Sequence, residues 1–246
     1  MTVSVPPERS EEARAAMIEL FPEGFEERDG DAGVELTAYT ERPDAVARLE
    51  PLGTVRESPV AQGWEDAWKD FHKPVTIGRL WIGPPWEAAE AGLTAIVIDP
   101  GRAFGTGAHA TTRLCIELLL EVEPAGLVDL GCGSGVVAVA AAKLGFAPVL
   151  ALDNDELAVA AARENAAANG VRVDARGADV LADPLPDVEV AVANIARAPV
   201  ERALERFDGR VAIVSGYLEA ERPEPRGWHF VDRRVAAGWA ADLLVR

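Results

Sequence analysis

In residues 93–246, short apolar runs alternate with longer stretches of helical periodicity. The runs are 94–98, Leu127–Leu130, 149–152, 188–193 and 211–214. Between them, 111–121, 135–144, 156–169 and 199–207 carry apolar positions at helical spacing. Apolar strands separated by helices predict a parallel sheet covered on both faces. Residues 229–235, a turn at Ala236-Ala237-Gly238 and Trp239–Val245 read as a closing antiparallel hairpin. The expectation is α/β: a Rossmann-like, doubly wound sheet that ends in an antiparallel hairpin.

The first sixty residues follow another pattern. Thr2–Val5 alternates as a short strand, and 11–21 is helical with Ala15, Ile18 and Leu20 on its apolar side. Residues 25–29, a turn at 29–31 and 34–40 predict a hairpin, followed by a helix at 42–49 and a strand at 54–60. Strand-helix-strand-strand-helix-strand is the order of a small ferredoxin-like α+β domain. Residues 61–92 separate the two regions as a linker holding Trp64, Trp68, Trp81 and Trp86, with 62–71 readable as a helix. The expected domains are therefore 1–60, a linker at 61–92, and 93–246.

Composition narrows the chemistry. The 246 residues carry 24 basic and 41 acidic side chains, a net charge of -17. That balance argues against broad nucleic-acid binding, which needs positive faces, and favours a basic partner. No apolar run reaches the length of a membrane span, and the N-terminal residues lack the basic-then-apolar pattern of a secretory signal. Cys115 and Cys132 are too few for a disulfide framework or a metal cage, which suits a reducing cytoplasm. His72, His109 and His229 fall in unrelated segments, so no metal site is expected.

The sharpest motif is Asp129-Leu130-Gly131-Cys132-Gly133-Ser134-Gly135, where a strand meets a glycine turn and an alanine-rich helix. Glycines let the backbone approach a ligand, and free amides at a helix start hold anionic groups. A dinucleotide fingerprint needs a glycine at 136, which is Val136. Asp129 supplies negative charge that suits the ammonium and sulfonium of S-adenosylmethionine (SAM) and would repel a pyrophosphate. Asp153 ends the next strand, about 20 residues past the glycines, where a carboxylate accepts hydrogen bonds from ribose hydroxyls. Asn154 or Asp155 can cap the following helix in its place. Asp179 reads either as an acceptor for an adenine amino group or as a loop acid.

Asn194 ends the strand at 188–193, over the carboxyl edge where open α/β sheets bind ligands, and its amide oxygen suits an incoming amine. The glycine-rich run 99–112 leads into a helix with Thr111 or Thr112 as cap. Within it, Phe104 suits stacking on adenine, and His109 is as readily a structural hydrogen-bonder as a catalyst.

A doubly wound sheet ending in a hairpin is the architecture of class I methyltransferases. The run Ile98-Asp99-Pro100-Gly101-Arg102-Ala103-Phe104-Gly105-Thr106-Gly107-Ala108-His109-Ala110-Thr111-Thr112 closely resembles the signature of the bacterial ribosomal protein L-eleven methyltransferase family, PrmA. The resemblance extends through Trp64-Glu65-Asp66-Ala67-Trp68, Arg79-Leu80-Trp81-Ile82, Asp129 to Gly135, Asp153-Asn154-Asp155, Asn194-Ile195 and Ser215-Gly216. It implies a SAM-dependent enzyme that methylates amino groups of that large-subunit ribosomal protein, with the N-terminal domain gripping the substrate. The expected cofactor set is Phe104, Thr112, Asp129, Gly131, Gly133, Asp153, Asp179 and Asn194, with Asn194 also catalytic, in a monomer. Where the family reads N-I-L-A, this chain has Asn194-Ile195-Ala196-Arg197, and its N-terminal unit is short. Both departures keep open a related methyltransferase acting on another protein lysine or a small-molecule amine.

Overall fold

A computed structural model describes residues 1–21, 25–30, 33–38, 44–56, 72–99 and 107–246. Its contacts divide into two compact units, Met1–Trp68 and Lys69–Arg246.

The first unit contains β1 (Thr2–Val5), α1 (Ser10–Leu20), β2 (Glu26–Gly30), β3 (Gly33–Thr37), α2 (Asp44–Leu49) and β4 (Thr54–Arg56). The strands form an antiparallel sheet in the order β2-β3-β1-β4. Helical spacing puts Ala13, Met17 and Leu20 of α1 on one buried face, against Val3, Val5, Leu36, Ala45 and Leu49. The apolar side expected of α1 shares only Leu20 with this set, since the side chains of Ala15 and Ile18 lie outside the described ones. Residues 57–71, including Trp64, Trp68 and the expected helix at 62–71, also lie outside the described residues.

The second unit opens where the sequence reads as linker. Here β5 (Val75–Ile77) and β6 (Leu80–Gly83) pair antiparallel, and β7 (Thr94–Val97) joins β6 in parallel. Leu80, Trp81 and Ile82 are buried, so this stretch packs as sheet. There follow α3 (Ala110–Leu119), β8 (Leu127–Leu130), α4 (Val136–Leu144), β9 (Val149–Asp153), α5 (Glu156–Ala168), β10 (Asp174–Gly177), β11 (Val190–Asn194), α6 (Arg197–Arg206), β12 (Val211–Leu218), β13 (His229–Ala236) and β14 (Trp239–Val245). The seven strands from β8 onward form one mixed α/β sheet in the order β10-β9-β8-β11-β12-β14-β13. Neighbours from β10 to β12 are parallel, and β14 pairs antiparallel with β12 and β13.

Side-chain alternation shows how the sheet is covered. Val190, Val192 and Ile213 enter a core with residues of α3, α4 and α5. Their neighbours Ala191, Ala193, Ala212 and Val214 enter a second core with Val200, Ala203 and Leu204 of α6. A period of two feeding two separate cores is the signature of helices on both faces. Among the described residues, no helix is long and apolar enough to cross a membrane.

The order reverses direction between β8 and β11, because the chain leaves β8 toward β9 on one side and returns to β11 on the other. Ligands bind at such switch points, over the carboxyl ends of the strands. Asp153 and Asn194 close the strands that flank β8.

The hairpin between β13 and β14 turns on Ala237 and Gly238, with φ of 51° and 80°. A left-handed backbone is unfavourable for alanine. Ala237→Gly is therefore expected to stabilise the chain by about 1 kcal/mol. Thermal denaturation should show this as a rise of about 2–4 °C in Tm.

Candidate cofactor and active site

The site is organised by the turn that joins β8 to α4. Gly131 and Cys132 donate their amides to the Leu152 carbonyl at 2.8 and 3.0 Å, which draws the turn onto the end of β9. The Gly133 amide then donates to Asp153 Oδ2 at 2.9 Å, and the Asp155 amide to Asp153 Oδ1 at 3.0 Å. A carboxylate has about four lone-pair sites, so two backbone bonds leave capacity for a ligand's hydroxyls. Asp155 caps α5 by accepting from the Leu157 amide at 2.9 Å, which leaves Asp153 out of the cap.

Two glycines govern the neighbouring strand ends. Gly131 has φ +77°, and a Cβ there would lie 2.5 Å from Ile195. Gly216, at φ +98°, would place a Cβ 2.2 Å from the Ile195 carbonyl oxygen. The Asn194-Ile195 backbone thus passes between two positions that admit only glycine. Asn194 Nδ2 donates to Thr112 Oγ1 at 3.3 Å, so the amide oxygen of Asn194 is its acceptor for other partners. Thr112 is buried in the first turn of α3. The cap of that helix is His109, whose ring nitrogen accepts from the Thr111 amide and lies 2.7 Å from Thr111 Oγ1. This corrects the expected threonine cap. The His109 ring also packs edge-on against Trp239, 5.1 Å between centroids, a structural role.

Asp129 lies behind the turn, 2% exposed, with Oδ2 accepting from the Ala138 amide at 3.2 Å. Burial raises its pKa to about 7, the Asp153 charge adds to the rise, and the Ala138 bond opposes it. Burial also pushes the Cys115 and Cys132 thiols up, which keeps them protonated and unreactive.

Asp179 is exposed, and its Oδ1 accepts from the Leu181 amide at 2.8 Å while its own amide donates to Asp183 Oδ2. That carboxylate builds a local turn, the loop-acid reading. It follows β10, whose last residue pairs with Asp153, so it stays at the same sheet edge. Phe104 lies outside the described residues. The departure at Arg197 is neutralised locally, because its guanidinium meets Glu201 at 3.2 Å and Glu221 at 3.3 Å.

Two residues in the site's support were missed in the sequence. Asn165 and Asn169, one turn apart at the end of α5, are 4% and 9% exposed. Asn165 accepts from the Asp99 amide at 3.1 Å and donates to the Ser134 carbonyl at 2.9 Å. Asn169 accepts from the Val97 amide and donates to the Val97 and Asn165 carbonyls. Their spacing, i and i+4 on an alanine-rich helix, was the available signal.

The donor set suits a cationic nucleoside. A buried carboxylate, a second one tied to the glycine amides, and an amide oxygen beside them meet positive charge, hydroxyls and a polar nitrogen. No group of three metal-ligating side chains occurs among the described residues.

Comparison with known proteins agrees with this chemistry. Residues 19–224 match the family model described as ribosomal protein L11 methyltransferase (PrmA). The chain is 39% identical over 201 residues to the ribosomal protein L11 methyltransferase of Symbiobacterium thermophilum, covering 75% of this chain and 66% of that protein. It is 35% identical over 218 residues to the protein of that name from Myxococcus xanthus, covering 78% and 70%. The chain thus spans about two-thirds of the length of these curated relatives. The crystal structure of ribosomal protein L11 methylase from Lactobacillus delbrueckii subsp. bulgaricus superposes with a TM-score of 0.63 at 30% identity. That match covers 70% of this chain and 98% of that one. The chain belongs to the ribosomal protein L11 methyltransferase family, within the class I SAM-dependent methyltransferases.

Asp129 gives the site a measurable pH signature. Its folded pKa, about 7, lies above the ordinary carboxylate value near 3.8. The unfolded chain therefore releases this proton first, and the ligand-free fold loses stability as pH rises from about 4 to about 7. Asp129→Asn keeps the acceptor for Ala138 without the charge. Urea unfolding should find the variant more stable than the wild type by about 2–4 kcal/mol at pH 8, the difference shrinking toward pH 4.

Proposed function

We propose that this member of the L11 methyltransferase family transfers methyl groups from SAM to amino groups of a ribosomal L11 protein, at lysine side chains, the N-terminal amine or both. The observation that carries the reading is that Asp153, tied to the Gly133 amide, and Asn194, tied to Thr112, end the two strands that flank β8, at the carboxyl edge of the sheet. We assign the small N-terminal unit, read as ferredoxin-like, to substrate recognition, and the methyl transfer to the larger unit.

Bound SAM supplies an electrophilic methyl group, and the residues of this chain supply its placement and the amine's. Asp153 would accept from the ribose hydroxyls, and Gly131 and Gly133 would let the backbone lie against the methionine portion. Asp129 would offset positive charge, with Thr112 helping to hold the ligand. Phe104 and Asp179 would meet the adenine.

The amine must reach the methyl as a free base. A lysine with pKa about 10.4 is neutral in roughly 0.04% of molecules at pH 7, a deficit of about 4.6 kcal/mol. Burial disfavours the ammonium, so an enclosed site offsets part of this without a dedicated base. The oxygen of Asn194 accepts an amine hydrogen and points the lone pair, and Thr112 fixes which end of the amide faces out. Alignment of this kind is worth about 7–11 kcal/mol in well-oriented reactions. The Arg197 cation, paired with Glu201 and Glu221, leaves an excess of one negative charge in that trio, which suits a cationic lysine approaching the rim.

Incubation with labelled SAM and ribosomal proteins from its own source is expected to label one large-subunit protein at lysine or the N-terminus. Label confined to another protein or to a small amine would overturn the substrate assignment, and no label would overturn the activity. Asn194→Ala should lower kcat by about 100-fold, as misplacement of a reacting group does. SAM affinity measured by calorimetry should change far less. Equal losses in both would make Asn194 a binding residue alone.

A further inference from the structure

The end of α5 does more than cover the sheet. One side-chain amide, that of Asn165, joins two backbone segments that approach the site from different parts of the chain. Its oxygen accepts from the Asp99 amide at 3.1 Å, just past β7, and its nitrogen donates at 2.9 Å to the carbonyl of Ser134, between Gly133 and Gly135. An amide is the side chain for this task, since it offers a donor and an acceptor on one planar group. At 4% exposure, both bonds are sheltered from competing water.

Asn169 supplies an internal comparison. It sits one turn further along, is equally sheltered, and makes three bonds of 2.6–2.8 Å. Those bonds end on Val97 and on Asn165 itself, and none reaches the glycine turn. The two asparagines are thus both buried and hydrogen-bonded, Asn169 by more and shorter bonds, but they differ in what they hold.

We propose that Asn165 is a positioning residue for cofactor binding: it holds the Ser134 carbonyl so that the glycine turn keeps its shape and its bond to Asp153, the carboxylate offered to the adenosyl ligand. This rests on the SAM-dependent reading above. The Ser134 peptide lies outside any strand, between two glycines at φ of 52° and 76°, so its neighbours in the chain restrain it little. Loss of the Asn165 bond to Ser134 O would loosen the turn, and the 2.9 Å bond from Gly133 to Asp153 depends on how that turn is held.

The test compares Asn165→Asp with Asn169→Ala in the full chain, with Asn165→Ala as a second variant. Asn165→Asp retains the acceptor for Asp99 and sets a carboxylate oxygen against the Ser134 carbonyl. Calorimetry with SAM is expected to show affinity weaker by about tenfold or more for the Asn165 variants, with kcat at saturating SAM within about threefold of wild type. Asn169→Ala should lose thermal stability while binding SAM within about twofold of wild type. Amide hydrogen exchange without ligand should accelerate across residues 131–136 in the Asn165 variants and not in Asn169→Ala. Unchanged affinity in the folded Asn165 variants, or an equal loss in Asn169→Ala, overturns the proposal. If the wild type itself takes up no SAM, the functional reading fails instead. The exchange pattern then decides positioning: faster exchange confined to the Asn165 variants supports it, and any other pattern overturns it.

Discussion

The bonds from Asp153 to the Gly133 and Asp155 amides are the constraint on which the rest of the site depends. One carboxylate at the end of β9 fixes the turn after β8 and the approach to α5 at once. The glycine turn has few side chains of its own to anchor it, because glycines leave the backbone open to close approach. Charge-assisted bonds to amides are about twice as strong as neutral ones, so a single acid can hold a turn that packing cannot. The same carboxylate keeps spare lone pairs, so organising the turn and meeting a ligand do not compete.

Around that anchor the other strand ends follow by exclusion. Ile195 can lie where it does only because positions 131 and 216 carry no side chain. Asn194, the preceding residue, is thereby delivered to the carboxyl edge at a height set by two neighbouring strands, and Thr112 then sets its rotation. Backbone placement precedes side-chain chemistry here. A substitution at Gly216, distant in sequence from every other site residue, would act through Ile195 on Asn194.

What the chain revealed beforehand divides along physical lines. Apolar strands flanked by turns were legible because burial on both faces leaves no polar alternation to blur them, as in Leu127–Leu130 and Val190–Asn194. The edge strand Asp174–Gly177 left a fainter trace, read only as the strand before Asp179, since only Ala175 of its four residues is buried. Residues 75–83 read as linker because Gly78, Gly83 and Pro84 punctuate strands of only three and four residues. Asp129, Gly131, Gly133, Asp153 and Asn194 stood out as candidates because they lie in or just beyond the last residues of apolar strands. Asn165 left only its spacing from Asn169 as a signal, because its partner, the Ser134 carbonyl, lies some thirty residues away and no local pattern encodes that contact. The helix cap went to His109 instead of a threonine because its ring nitrogen, also bonded to Thr111 Oγ1, reaches the Thr111 amide.

Asp129 raises a different question: why a chain would keep a carboxylate where burial opposes its charge. With only a modest backbone bond to Ala138 at 3.2 Å and Asp153 as a like-charged neighbour, the acid is half neutral near pH 7. A hydrophobic residue of similar size would serve the ligand-free fold better. A positive charge arriving beside that group recovers part of the free energy lost on ionising it, because it draws the carboxyl pKa back down. A neutral ligand of the same shape recovers none. In the proposed site, a buried acid that is costly in the empty fold would thereby favour a cationic ligand.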